Sequence, residues 1–405
     1  MKVRLRAWFL SSILFFLFFL LFGNSHATKG PEHRTLRPLA MGNAFVAVVD
    51  DKDALHYNPA GLNLINRLGN RRRRPEMGYY PSDLFDMHLN FLGTGVPFGT
   101  GLKILDIYQN HKEALSGDLD ALKNDETLAE DLIIFDRDPI LFSVIHGGEL
   151  AFHNFGISYW GDARVAPFID VGIIFPQAGL EFIKADLAAE IGIARSFMHD
   201  RLAIGLEYRV ARREIIKDVQ IAMIEFSNKK RLASTMQDTL QNHLGNLTDF
   251  SLLGHGLDIG ILWQQTRTLR LGMAIQNLFM TLNHEKITPE LTIGLAYSPK
   301  LLQNNYRWKR KINFALDWED ILNNDKNWKG ASKINMGAEW EQTIIPYILK
   351  GRIACGLKGG YWTAGIGGNL FTVLHYEFAT WAEEDGYYTG QKDNRYYVMN
   401  FGLGF

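Results

Sequence analysis

The residues with a claim to chemistry in this sequence are few and scattered. Asp50, Asp51, Asp53 and His56 fall close together, and carboxylates with an imidazole at such spacing can ligate a metal. Neither an H-E-x-x-H nor a C-x-x-C accompanies them. A small acidic turn facing arginines demands less, and no metal centre and no cofactor is expected. Arg71 to Arg74 form a run before Pro75 that suits lipid phosphates or an acidic partner, or serves as a solvated linker. Glu383, Glu384 and Asp385 offer hard oxygen ligands of the calcium type, but a charged loop beyond a strand end needs no ion. Nucleophilic catalysis requires a nucleophile, a base and an orienting group within hydrogen-bond reach. The twelve histidines are scattered and no G-x-S-x-G occurs. Ser143 and His146 point to opposite faces of one strand by parity. No catalytic residue is assigned, and the protein is not expected to be an enzyme.

The elements that must position these residues belong to a large folded chain. It has 405 residues, 47% hydrophobic and 21% charged, with 38 Gly and 12 Pro, which argues against collagen-like, low-complexity and wholly disordered classes. A single cysteine, Cys355, allows no internal disulfide and no cysteine-built metal site. With 43 basic and 44 acidic residues the formal charge is −1, so no bulk attraction draws the chain to nucleic acid.

Lys2, Arg4 and Arg6 precede a largely apolar run from Trp8 to Gly23, followed by Ser25-His26-Ala27. This pattern reads as a secretory signal peptide over 1–27 with the mature chain starting at Thr28, the alternative being an uncleaved anchor helix. Beyond Thr28 every hydrophobic stretch is broken by charge or Gly well short of a helical span.

Period-two alternation takes the place of such spans. Leu257, Ile259, Ile261 and Trp263 oppose Asp258, Gly260, Leu262 and Gln264, and Ile334, Met336, Ala338 and Trp340 oppose Lys333, Asn335, Gly337, Glu339 and Glu341. A sandwich core would not bury those charges unpaired. Ile312, Phe314, Leu316 and Trp318 oppose Asn313, Ala315, Asp317 and Glu319, and Leu202 to Ala211 repeats the pattern. Segment lengths match the 9–11 residues of a tilted membrane strand. Trp263, Trp318, Trp340 and Tyr297 sit where interfacial girdles are expected. The fold class is therefore all-β: a transmembrane antiparallel β-barrel over 76–405. Strands are expected near 86–96, 98–108, 139–147, 150–160, 186–198, 201–213, 256–265, 268–278, 290–298, 310–319, 332–342, 349–358, 361–380 and 394–405. That makes about fourteen, or one more if 361–380 is a hairpin, with twelve or sixteen open because such barrels close with even numbers. Segments 111–133 and 222–250 carry leucines at mostly helical spacing and read as short helices in long extracellular loops.

The last strand alternates Tyr397, Met399, Phe401, Leu403 and Phe405 with Val398, Asn400, Gly402 and Gly404. A terminal aromatic on such a strand resembles the signal read by the outer-membrane barrel-assembly machinery, which names that machinery and outer-membrane lipid as expected partners.

Between Thr28 and Pro75 the composition changes. The small residues Gly42, Ala44, Ala47 and Ala54 favour close packing against a wall, Asn58-Pro59 initiates a turn, and Gly61 tolerates positive φ. A compact coil of this kind fits inside a barrel lumen. From Met41 to Leu62, with Asn58-Pro59-Ala60-Gly61 at its end, the sequence resembles the N-terminal signature of the FadL superfamily of outer-membrane proteins, in the branch of the PorV-like proteins of type IX secretion. Leu269 to Gly272, Gln276-Asn277-Leu278, Leu316 to Asp320, Gly337 to Trp340 and Gly365-Ile366-Gly367 are similar as well. The resemblance implies a Gram-negative outer-membrane location and a plug or hatch over 28–75, to which Gly42, Ala44, Asp50, Asp51, Asn58, Pro59, Ala60 and Gly61 belong. The function it implies is porin-like passive uptake of hydrophobic molecules of the long-chain fatty-acid or hydrocarbon kind. The alternative is a plugged, secretion-associated barrel that presents its loops to a secretion-system protein. An apolar pocket beside the hatch would favour uptake, and a lumen packed with paired charges such as Asp258, Arg270, Asp317, Lys333 and Glu339 would favour the scaffold.

Overall fold

Alternating side chains force each segment to show one face to the inside and one to the outside, and a sheet that closes on itself leaves no unpaired edge. In the computed structural model the described residues are 31, 33, 35–65, 85–96, 106–112, 127, 131, 142–171, 176–222, 252–299, 310–322, 333–345, 348–371, 373–384 and 393–404. The expected signal segment, Arg71 to Arg74, most of both expected helical insertions, Asp385 and Phe405 lie outside them. The strands are β1 (Phe85–Val96), β2 (Phe142–Phe152), β3 (Phe155–Val171), β4 (Pro176–Phe197), β5 (Leu202–Ala222), β6 (Gly254–Gln264), β7 (Leu269–Leu278), β8 (Thr281–Leu282), β9 (Glu285–Lys286), β10 (Glu290–Tyr297), β11 (Arg310–Trp318), β12 (Ile334–Ile345), β13 (Leu349–Lys358), β14 (Tyr361–Leu370), β15 (Leu374–Glu384) and β16 (Asp393–Gly404). All but β8 and β9 form one closed barrel in which chain neighbours pair and β1 closes on β16. Every pairing is antiparallel. The barrel has fourteen antiparallel strands, the number expected from the alternation, and no described helix is long and apolar enough to cross a membrane.

The two faces divide as the alternation requires. In β16 Met399 and Phe401 are 51% and 58% exposed, while Val398 and Asn400 between and beside them are 0% and 5%. Ile157, Tyr159, Ile191, Ile193, Leu206, Phe314, Leu316, Ile353 and Ile366 are exposed in the same way on their strands. An apolar belt of this extent is far larger than water tolerates on a monomer and suits lipid.

The strand count agrees with the sequence expectation through two differences that offset each other. The expected strand 98–108 has no place in the barrel order, since β1 pairs directly with β2; its described end, 106–110, is helical, and 98–105 lie outside the described residues. Segment 361–380 holds two strands, β14 and β15, paired from Leu370 and Leu374 onward. Paired residues share a face, and Leu370 pairs with Leu374 four positions on, so parity continues through this turn and alternation alone does not reveal the reversal. Strands β4 and β5, of 22 and 21 residues, run well past the expected 186–198 and 201–213, and β5 takes Ala222 from the expected insertion at 222–250. With the 17-residue β3 they project beyond the length a membrane needs, at the barrel end opposite Phe85 and Gly404. Trp340 stands inside β12, which continues to Ile345, and not at its end.

The largest apolar cluster lies within the barrel. It joins Leu36, Leu39, Met41, Phe45, Val48, Val49, Leu55 and Leu62 of the N-terminal segment to small wall residues such as Ala203, Ala296, Ala315, Ala354 and Ala379.

Candidate functional site

The N-terminal segment is built from short, locally terminated pieces. A five-residue helix, Leu36–Ala40, is closed at Gly42, whose φ of 67° suits glycine and whose N–H donates to Thr363 Oγ1 at 2.9 Å. A second turn, Ala54–Tyr57, leads to Asn58. Asn58 caps the 3₁₀ turn Pro59–Asn63 by accepting from Ala60 N at 3.2 Å, with Pro59 at its first position. The same side chain donates to Val46 O at 2.9 Å and Ile261 O at 3.2 Å, tying two parts of the segment to β6.

Glycines on the wall make room for this coil. A Cβ at Gly205 would come closer than 3.0 Å to backbone atoms of Pro59 and Ala60, and one at Gly337 would do the same to Met41. Gly272 and Gly356 meet backbone atoms of Val46 and Met41 as closely, and Gly260 and Gly365 meet the side chains of Asn58 and Ala40. Asp317 of β11 accepts from the amides of Phe45 at 2.6 Å and Val46 at 2.8 Å, so a wall carboxylate satisfies two buried donors.

Charges on the segment find partners on the wall. Arg37 reaches Glu339 of β12 at two points, 2.6 and 2.7 Å, and also pairs with Asp50 at 3.0 Å and with Asp51. Burial opposes the charge on Arg37, but Asp51 and Glu339 outweigh it and hold the guanidinium well above its ordinary value. Lys311 of β11 pairs with Asp50 as well. The acidic turn is thus neutralised by cations, and Asp53 faces Lys52 at 2.7 Å.

His56 faces elsewhere. Its Nδ1 lies 2.8 Å from Glu190 of β4, and its Nε2 lies 3.6 Å from Glu149 Oε1 of β2. His33 Nε2 lies 3.1 Å from the same Glu149 oxygen, and Trp160 stacks on the His33 ring at 5.0 Å. Glu190 also accepts from Ser158 at 2.7 Å, Trp160 Nε1 at 2.9 Å and Arg209 at 2.7 Å, and Arg209 continues to Glu207 and Asp258 at 3.0 and 2.9 Å. Burial lowers the affinity of His56 for its proton, but Glu190 and Glu149 overcome this and raise its pKa to about 10. Burial and the nearby His56 push His33 down. Toward the end where β3–β5 project lies an apolar layer in which Met280, Leu282 and Ile287, flanking and within the β8–β9 hairpin, pack on Trp160, Ala188 and Ala211.

The sequence-assigned residues Gly42, Ala44, Asp50, Asp51, Asn58, Pro59, Ala60 and Gly61 are thereby gathered inside the barrel, Ala44 and Ala60 being fully buried and Gly61 fitted against Val49 and Ala54. Tyr397, Met399, Phe401 and Leu403 follow one another along one face of β16. His146 is exposed on β2. Glu383 and Glu384 are engaged by Lys358 at 3.6 Å and by Tyr361. Of the lumen charges singled out, Asp258 pairs with Arg209, Lys333 with Asp320 at 2.5 Å and Glu339 with Arg37, while Arg270 donates to Val48 O at 3.4 Å. His33, Arg37, Glu149 and Glu190 were not foreseen. The inward parity of Glu190 in β4 was a usable signal for one of them, but nothing local marks His33.

No family model and no curated protein matches the chain. Among solved structures its fold is similar to the P. putida toluene transporter TodX, with a TM-score of 0.41 and 10% identity over 92% of this chain and 97% of that one. It is also similar to a TodX monoaromatic hydrocarbon channel mutant, with a TM-score of 0.47 and 11% identity over 92% and 98% of the two chains. A third, the CymD monoaromatic hydrocarbon channel, gives a TM-score of 0.36 and 9% identity over 91% and 96%.

Proposed function

We propose that this protein is an outer-membrane barrel for passive entry of hydrophobic small molecules, with residues 35–65 acting as a hatch across the lumen. The observation that carries the reading is the seating of that segment: inward glycines receive its backbone, and Glu339 and Asp317 of the wall hold it. A barrel surrounded by lipid and closed from within needs a way to admit cargo, and the signature from Met41 to Leu62 resembles that of transporters in the FadL superfamily. The cargo class that follows is fatty-acid or hydrocarbon-like, driven by transfer of apolar surface from water at about 25 cal/mol per Å². Insertion by the barrel-assembly machinery and residence in a Gram-negative outer membrane belong to the same proposal.

A specific observation favours a second reading. The lumen charges Asp258, Glu339 and Lys333 are paired and buried, as suits a barrel that stays plugged and presents its loops to a secretion-system protein. Native mass spectrometry with lipid extraction separates the two. Fatty acids or hydrocarbons retained at defined stoichiometry by the wild type, and lost when Asn58→Ala and Pro59→Ala disturb the segment, support entry. Bulk lipid alone, together with a co-purifying protein, supports the scaffold.

A further inference from the structure

The charged layer contains an arrangement that neither function uses. His33 and His56 of the inner segment and Glu149 of β2 each offer one ligand atom, all within 4.8 Å of one another. The two measured spacings to Glu149 Oε1 are 3.1 Å from His33 Nε2 and 3.6 Å from His56 Nε2. Ligands held at the roughly 2.0–2.1 Å typical of Zn–N and Zn–O bonds around a tetrahedral centre stand about 3.3 Å apart, between those two values.

Independent of that geometry, polar atoms here lack hydrogen-bond partners despite full burial. His56 Nε2, one of the three ligand atoms, is among them, while the other two, His33 Nε2 and Glu149 Oε1, meet each other at 3.1 Å. Buried polar groups are almost always satisfied, so a fully buried imidazole nitrogen directed at a carboxylate yet without a hydrogen-bond partner marks a place for an ion or water. The surroundings also suit a metal-ligating histidine, which commonly turns its second ring nitrogen to a carboxylate: Glu190 stands 2.8 Å from His56 Nδ1, leaving Nε2 directed at Glu149. Trp160 covers the His33 ring. Lys52, 3.6 Å from Glu149 Oε2, engages the other carboxylate oxygen and leaves Oε1 to the histidines.

We infer that His33, His56 and Glu149 form a binding site for a divalent transition-metal ion of the zinc type, which staples the N-terminal segment to the barrel wall. Two ligands come from the segment and one from β2, so binding the ion and docking the segment are one equilibrium. Imidazole nitrogen with a single carboxylate selects zinc, cobalt or nickel over calcium and magnesium, which require more oxygen ligands. The inference depends on the fold and not on what, if anything, crosses the lumen.

The test uses the full-length protein extracted from outer membranes in detergent, with its metal content measured before and after dialysis against a chelator. The stripped protein is titrated with Co²⁺, read by visible absorption, and then with Zn²⁺ in competition. The expected result is about one equivalent bound, displaced by Zn²⁺, with added Zn²⁺ protecting the segment from protease. His33→Ala should weaken binding by more than about 100-fold, beyond the 10–100-fold cost of losing an outer-shell partner, while His146→Ala on the outer face should not. Glu149→Gln should act like His33→Ala if the barrel still assembles, as judged by heat-modifiable gel mobility; if it does not, His33→Ala decides. Co²⁺ and Zn²⁺ binding equal in wild type and His33→Ala, or no binding by the wild type, overturns the site.

Discussion

Arg37 of the inner segment and Glu339 of β12 meet in a two-point ion pair, Nε to Oε2 at 2.6 Å and Nη2 to Oε1 at 2.7 Å, across 302 positions of sequence. Both side chains are buried. The forked guanidinium matches the carboxylate at both points, which fixes orientation as well as distance. The contact therefore sets where the segment begins its course inside the barrel.

Removing one partner leaves a buried charge without compensation, at a cost of about 3–5 kcal/mol. Arg37→Ala is expected to release the start of the segment while the barrel persists. Planar-bilayer conductance should rise above that of the wild type, and replacing both residues with methionine should restore much of the lost stability. Unchanged conductance and unchanged protease resistance in Arg37→Ala would count against the segment as the barrier.

The glycine seats make a steric prediction. Gly205→Val places its side chain into the backbone at Pro59 and Ala60, and overpacking of this kind costs about 1–3 kcal/mol. Proteolysis within 35–65 should accelerate. Gly351→Ala is the matched control, because its neighbour is the flexible end of Ile344, and it should behave as wild type.

Asp317 holds two amides at once. Asp317→Ala leaves the N–H groups of Phe45 and Val46 unsatisfied, at about 1–3 kcal/mol each. Hydrogen exchange at those two amides should speed up in the variant while exchange in the β11–β12 ladder stays slow. Equal exchange in both proteins would mean that the carboxylate does not hold the segment.

The outer face is tested by charge. Phe314 is exposed in the middle of β11, and Phe314→Arg should destabilise the barrel in bilayers by about 2–4 kcal/mol if that point lies at the membrane midplane. Trp318, exposed at the last residue of the same strand, should tolerate the same change at about 0–1 kcal/mol. Equilibrium unfolding in urea from lipid vesicles measures both.

Sequence alone determined the properties that depend on immediate neighbours. Alternation such as Leu257 to Gln264 assigns faces because successive strand residues point to opposite sides, and those faces are the ones observed. The turn at Asn58-Pro59 was legible because both residues act on their own backbone. Alternation did not distinguish one long strand from the β14–β15 hairpin, since Leu370 pairs with Leu374, an even number of positions on, and parity continues across that turn. It marked Glu339 and Asp258 as inward without naming Arg37 and Arg209 as their partners. Only closure of the barrel decided those pairings, because it brings residue 37 to residue 339 and residues 33 and 56 to residue 149. The glycines of the inner face carry the same lesson: in the sequence they are positions without a side chain, and their role as seats exists only once another segment is laid against them.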